Sequence, residues 1–140
     1  MERYRILPHT ADGKFRAYGR TLEEAFANAA LAMASLMWDW RKIEPKIARS
    51  VRVTGTDREQ LLVKFLGEVV FLLDTQRFLL AAVKDLMIRE GPDGWALEAE
   101  LRGDALSGRY EVYGGVKAVT YHEMRIEASD RVVVQVVVDM

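Results

Sequence analysis

The chain closes on Val136-Val137-Val138-Asp139-Met140, and this ending constrains the fold more than any other stretch. A strand apolar at consecutive positions offers no face to water, so it belongs inside a sheet, with partners on both sides. The expectation that follows is that Asp139 and the free α-carboxylate of Met140 sit together at the mouth of that strand, at a buried edge. A buried carboxylate without a partner is costly or takes up a proton, so two of them call for a counter-charge. A metal ion is one solution, and Asp12, in the loop after a short apolar strand near the start, is a candidate third ligand. Hard cations such as Ca2+, Mg2+ or Mn2+ take oxygen donors of this kind. The competing reading is that aspartates at strand ends are turn and capping residues.

With 140 residues, half of them apolar, the chain suits one domain, 1–140, close to the usual size of roughly 100–150 residues. No run of about 18 apolar residues is present to span a membrane. Met1-Glu2-Arg3-Tyr4 leads directly into a strand, so a cytoplasmic protein is expected. The absence of cysteine excludes disulfides, zinc–thiolate sites and thiol nucleophiles, and leaves oxygen and histidine to hold any metal. A net charge of −1 argues against broad, salt-driven binding to nucleic acid, which needs a coherent basic face. Arg41, Lys42, Lys46, Arg49 and Arg52 cluster around one linker and are read as solvated surface.

Apolar spacing predicts strands at 3–8 and 14–19, the second with Phe15, Ala17 and Gly19 on one face. Thr21-Leu22-Glu23-Glu24 is a capping box, and Leu22, Ala25, Phe26, Ala29, Met33, Leu36 and Met37 form one helical stripe, its methionines core residues. After a charged linker at 39–48, a strand is predicted at 50–54. Thr56-Asp57-Arg58-Glu59 then reads as a second capping box, opening a helix with the stripe Leu62, Phe65, Leu66, Val69, Val70 and Leu73. Strands at 78–90 and 95–101 join through Gly91-Pro92-Asp93-Gly94 as a hairpin. Residues 101–113 read as a loop or short edge segment, and strands at 116–126 and 131–138 close the chain. The fold class is α+β, a two-layer sandwich with two helices on one face of a largely antiparallel sheet.

His9 and His122 are the only histidines. Strict alternation puts His122 on a face with Val116, Ala118, Thr120, Met124 and Ile126, inward or at the rim, and turns Glu123 the other way with Val119 and Tyr121. One reading of His122 is a core histidine bonded to backbone; the other is a polar pair with His9 or Asp12 beside the metal. No nucleophile motif and no glycine-rich phosphate loop accompany these residues. That disfavours an independent hydrolase built on His122, Glu123 and Asp12.

Three motifs, in order along the chain, carry a resemblance. His9-Thr10-Ala11-Asp12 with Phe15-Arg16-Ala17-Tyr18-Gly19 and Leu22-Glu23-Glu24-Ala25-Phe26 resembles the opening of the archease family. Lys117-Ala118-Val119-Thr120-Tyr121-His122 and the terminal Val137-Val138-Asp139 resemble its second and third hallmarks, and Leu61-Leu62-Val63-Lys64-Phe65-Leu66-Gly67-Glu68 its central helix. The resemblance implies an accessory protein, not an enzyme, that assists the GTP-dependent RNA ligase of tRNA splicing by promoting guanylylation of the ligase's active-site histidine and its multiple turnover. It also implies, as the alternative, a chaperone-like modulator of a tRNA cytosine methyltransferase. It implies a metal, calcium, on Asp12, Asp139 and Met140; His9, His122 and Glu123 are candidate supporting residues on the reading of the residues themselves. The family usually ends in isoleucine and this chain ends in Met140, so with the α-carboxylate as ligand the side chain is only an apolar plug. A near-neutral accessory of this kind leaves strong RNA binding to the ligase.

Overall fold

A computed structural model describes residues 1–9 and 12–140, so Thr10 and Ala11 of the first motif lie outside the described residues. The elements run β1 (Tyr4–Leu7), β2 (Gly13–Gly19), α1 (Leu22–Ser35), β3 (Ile47–Gly55), α2 (Arg58–Gln76), β4 (Phe78–Gly91), β5 (Gly94–Ala105), β6 (Ala118–Ala128) and β7 (Val132–Asp139), with a 3-10 turn at Trp40–Lys42. No helix among the described residues is long and apolar enough to cross a membrane.

The α+β class read from the sequence is the one found. Its strands are divided between two antiparallel sheets, one in the order β1-β2-β7-β6 and the other in the order β3-β5-β4. Alternation tells which face of a strand is buried but not which strand lies beside it, so the split was not visible in the pattern. Helix α1 packs on β2 and β4, and α2 on β3 and β6, so each helix touches both sheets. Phe15, Phe26, Met33, Met37, Phe65, Leu66, Leu80, Val134 and Val136 are all buried in the shared core. The Trp38 indole N–H donates to the Leu80 carbonyl at 2.9 Å, fastening the end of α1 to β4. The apolar closing strand β7 lies between β2 and β6, as its composition required.

Two local readings shift. Thr21 caps α1 as predicted, accepting from the Glu24 amide at 3.1 Å. The second cap is one residue later than expected: Asp57 accepts from the Gln60 amide at 2.8 Å, while the Gln60 side chain reaches back to the Thr56 amide. Asp-x-x-Gln serves the same reciprocal role as Thr-x-x-Glu, and both registers were available in the sequence. Strand β5 continues to Ala105, so part of the expected loop at 101–113 is sheet. The hairpin closes at Gly91 opposite Gly94, whose φ of +122° suits glycine alone and whose missing Cβ leaves room for the Gly55 carbonyl.

The departure that matters for function is in β6. Thr120 pairs with Val137 and Arg125 with Gln135, so residues 121–124 oppose Val136 alone. This extended bulge ends strict alternation at the residues on which the predicted orientation of His122 and Glu123 depended.

Candidate functional site

One end of the four-stranded sheet gathers the residues singled out from the sequence. Gly13 pairs with Val138, so Asp12 and Asp139 stand one step beyond the last paired residues of adjacent strands. Asp139 is also the partner of Ala118, and its carbonyl accepts from the Lys117 amide at 2.8 Å. Met140 follows, 36% exposed. Its thioether occupies space left by two glycines: a Cβ on Gly13 would stand 3.0 Å from the Met140 sulfur, and one on Gly114 would strike the Leu36 carbonyl. The side chain thus seats the chain end against the C-terminus of α1. Asp139 is exposed, which corrects the expectation of a buried edge. Because β7 is central but its end emerges into water, burial imposes no demand for a counter-charge there.

Beside these carboxylates the bulge brings His122 and Glu123 against His9 and Lys14, more than a hundred residues earlier in the chain. Nε2 of His9 and Nε2 of His122 both lie 3.4 Å from Oε2 of Glu123, while Lys14 Nζ lies 3.6 Å from the other carboxylate oxygen. The two imidazoles meet edge to face, ring centres 6.4 Å apart. Each of His9, His122 and Glu123 offers one donor atom within 4.8 Å of the others. The His9 side chain is 19% exposed and that of His122 is 66% exposed. Of the alternation argument, the rim position of His122 holds and the core position does not, while Glu123 is corrected: it faces the same site as His122. Lys14, above all, holds the Glu123 carboxyl below its ordinary value; burial opposes this, and His9 and His122 add to it. Nδ1 of His9 is buried without a hydrogen-bond partner among the described residues, and faces Asp12 Oδ2 at 3.8 Å.

The bulge is held by side chains that sequence reasoning passed over. The Thr120 hydroxyl donates to the Val137 carbonyl at 2.7 Å and accepts from the His122 amide at 3.3 Å. Gln135, only 5% exposed in a strand otherwise of valine, donates from its amide to the Glu123 carbonyl at 2.8 Å. Its other end accepts from Arg16 Nε at 2.9 Å. Both ends of a buried amide are therefore satisfied. Glu123 itself has φ +53°, a left-handed conformation uncommon for glutamate, and these bonds hold it there. The one available signal was the lone polar residue in Val132-Val133-Val134-Gln135-Val136-Val137-Val138.

Chemically, the sheet end gathers one cluster of candidate donor atoms, from His9, His122 and Glu123, with the carboxylates of Asp12 and Asp139 at the neighbouring strand ends. His9, His122 and Glu123 make a mixed nitrogen and oxygen set, and the two aspartates are hard oxygen donors.

Comparison with known proteins places this arrangement in context. The model of the Archease protein family matches residues 4–140. The chain is 42% identical to Protein archease of Pyrobaculum neutrophilum, over 98% of this chain and 95% of that protein. It is 41% identical to Protein archease of Thermococcus gammatolerans, over 91% and 89%. The solution structure of Protein 1598 of Methanobacterium thermoautotrophicum superposes with a TM-score of 0.85 at 36% identity, covering 100% of both chains.

Proposed function

Since the chain belongs to the archease family, an accessory-protein family, we propose that it promotes guanylylation and multiple turnover of the GTP-dependent RNA ligase of tRNA splicing. The observation that most supports this reading is the convergence of Asp12, Asp139, His9, Lys14, His122 and Glu123 at one open end of the sheet. A partner's active site can be reached by such a rim, where an enclosed pocket could not reach it.

The residues present fit a divalent cation. Asp12, Asp139 and the Met140 carboxylate are hard oxygen donors at the ends of neighbouring strands, and the Nδ1 of His9, buried and without a hydrogen-bond partner among the described residues, faces the Asp12 carboxylate. With Nε2–H given to Glu123, the Nδ1 lone pair and the Asp12 carboxylate leave an electron-rich gap suited to a positive charge. Calcium is the cation the reading favours, with magnesium or manganese the alternatives; when bound, it supplies positive charge to phosphate oxygens. The chain's own residues do the rest. Lys14 holds the Glu123 carboxyl below its ordinary value, Glu123 orients both imidazoles, and the seated Met140 side chain keeps the terminal carboxylate beside Asp139. Phosphoryl-type transfer depends largely on positioning and electrostatics, which a rigid charged rim can contribute to a partner.

The test is ligase guanylylation under multiple turnover with wild type and Asp12→Asn side by side. Stimulation by wild type, reduced at least tenfold in the variant while its melting temperature holds, is the expected result. Absence of stimulation by a folded protein with an active ligase would overturn the reading. It would favour the chaperone-like role toward a tRNA cytosine methyltransferase, for which Phe71, Met87, Tyr113 and Tyr121 are exposed large side chains.

A further inference from the structure

The face of the four-stranded sheet turned away from the helices carries a feature that the proposed role does not use. Arg5 pairs with Arg16, Arg16 with Gln135, and Gln135 with Arg125, so three arginines and one glutamine form a single row across all four strands. With neighbouring strands about 4.8 Å apart, that row is about 14 Å long. Arg131, just before β7, reaches the same face, its guanidinium lying 4.6 Å from the ring centre of the buried Tyr18. These residues line one groove of about 330 Å³.

Two of the four arginines are held ready for a ligand. Arg16 gives its Nε to Gln135, which is itself buried and anchored to the Glu123 carbonyl. The terminal N–H groups of its planar fork make no hydrogen bond among the described residues. Arg131 is fixed by stacking on Tyr18, and neither Arg16 nor Arg131 has a carboxylate partner among the described residues. The acidic residues of the groove are Glu2, which accepts from two nitrogens of Arg5 at 3.2 and 3.1 Å, and Glu127, 3.9 Å from Arg125 in an exposed pair of the weak kind that a stronger anion displaces. Elsewhere on the surface several cations are paired with acids: Lys46 and Arg109 share Glu44, Arg52 meets Glu98, and Arg102 meets Glu100. The near-zero charge of the whole chain therefore conceals one face with an excess of positive charge.

We infer that this groove binds the phosphodiester backbone of a single-stranded nucleic acid. A line of guanidinium forks across the strands matches repeated phosphates along one strand, whereas a lone phosphate would leave most of the row unused. The face meets the carboxylate and imidazole cluster through Lys14, two residues before Arg16 on β2, and through the Gln135–Glu123 bond. A nucleic-acid strand following the row therefore passes alongside that cluster, across the strands of the sheet. The site is judged on the isolated protein, so it stands or falls separately from the ligase role.

The experiment is direct binding of a labelled 12-mer of oligouridylate, and of its thymidylate DNA counterpart, at several salt concentrations. Expected for wild type is a Kd in the weak range of about 10⁻⁴–10⁻⁶ M, with log K falling on log salt at a slope of about −2 to −3 for three or four phosphates. The double variant Arg16→Ala/Arg131→Ala should weaken binding at least tenfold and reduce the slope by about 1.4. Should that variant unfold, Arg5→Glu/Arg125→Glu serves instead, because those side chains are 62% and 69% exposed. Equal binding of both oligomers supports a backbone site, and preference for RNA adds contacts to the 2′-hydroxyl. No retention of either oligomer, or retention that both variants leave unchanged, overturns the inference, as does a face whose arginines matter only for binding an acidic protein.

Discussion

Glu123 combines three demands: a left-handed backbone, a surface position, and a carboxylate shared between two imidazoles and an ammonium. Its carboxyl is held low chiefly by Lys14, so Lys14→Met should raise its titration toward the ordinary value, as carbon-detected NMR of the side chain would show. The sign of the pH dependence follows. A carboxyl depressed in the folded state contributes stability above its unfolded value and loses it as pH falls through the depressed one. The stability difference between wild type and Lys14→Met should therefore be present at neutral pH and vanish on strong acidification. Gln135→Leu removes both of its hydrogen bonds and leaves the Arg16 and Glu123 groups without partners. It should cost about 1–3 kcal/mol in urea unfolding, with the His9 and His122 ring resonances shifted because the bulge relaxes. None of this was legible from alternation, since a bulge is where alternation stops applying.

The helices were the most readable elements. The α1 stripe and its Thr21 cap came straight from spacing, and the methionines at 33 and 37 are buried core residues. The second cap offered two registers, and the structure selects Asp57. Asp57→Ala should therefore cost about 1 kcal/mol, whereas Thr56→Ala should change little, a contrast that thermal unfolding of the two variants resolves. Helix α2 ends on Arg77 at φ +55°, a conformation glycine adopts without the Cβ penalty. Arg77→Gly should accordingly stabilise by about 0.5–1 kcal/mol, the opposite sign to a glycine placed inside the helix. The strands were legible as periods but not as lengths: β5 extends past Leu101 because its ladder with β3 and β4 continues there, and ladder partners are a property of neighbours.

At the scale of the molecule, the two sheets meet through the helices, and the open end of one of them carries the charged rim. The proposed ligand set includes the terminal carboxylate, so extending the chain past Met140 by a short Gly-Ser segment should abolish ligase stimulation. The melting temperature should stay within a few degrees, because Met140 remains seated over Gly13 and Gly114. An extended protein with undiminished stimulation would remove the carboxylate from the site.

By itself the sequence determined the class of fold, the helices and their buried stripes, the inner position of the closing strand and the family. These depend on periodicity and residue type, which are local and survive in one dimension. Only the tertiary structure decided that the strands form two sheets, that Asp139 emerges into water, and that His9, Lys14 and Glu123 converge. It also placed Arg5, Arg16 and Arg125 in one row. Those outcomes depend on strand order and on register across more than a hundred residues of intervening chain, where a bulge at residues 121–124 re-aims every side chain it carries.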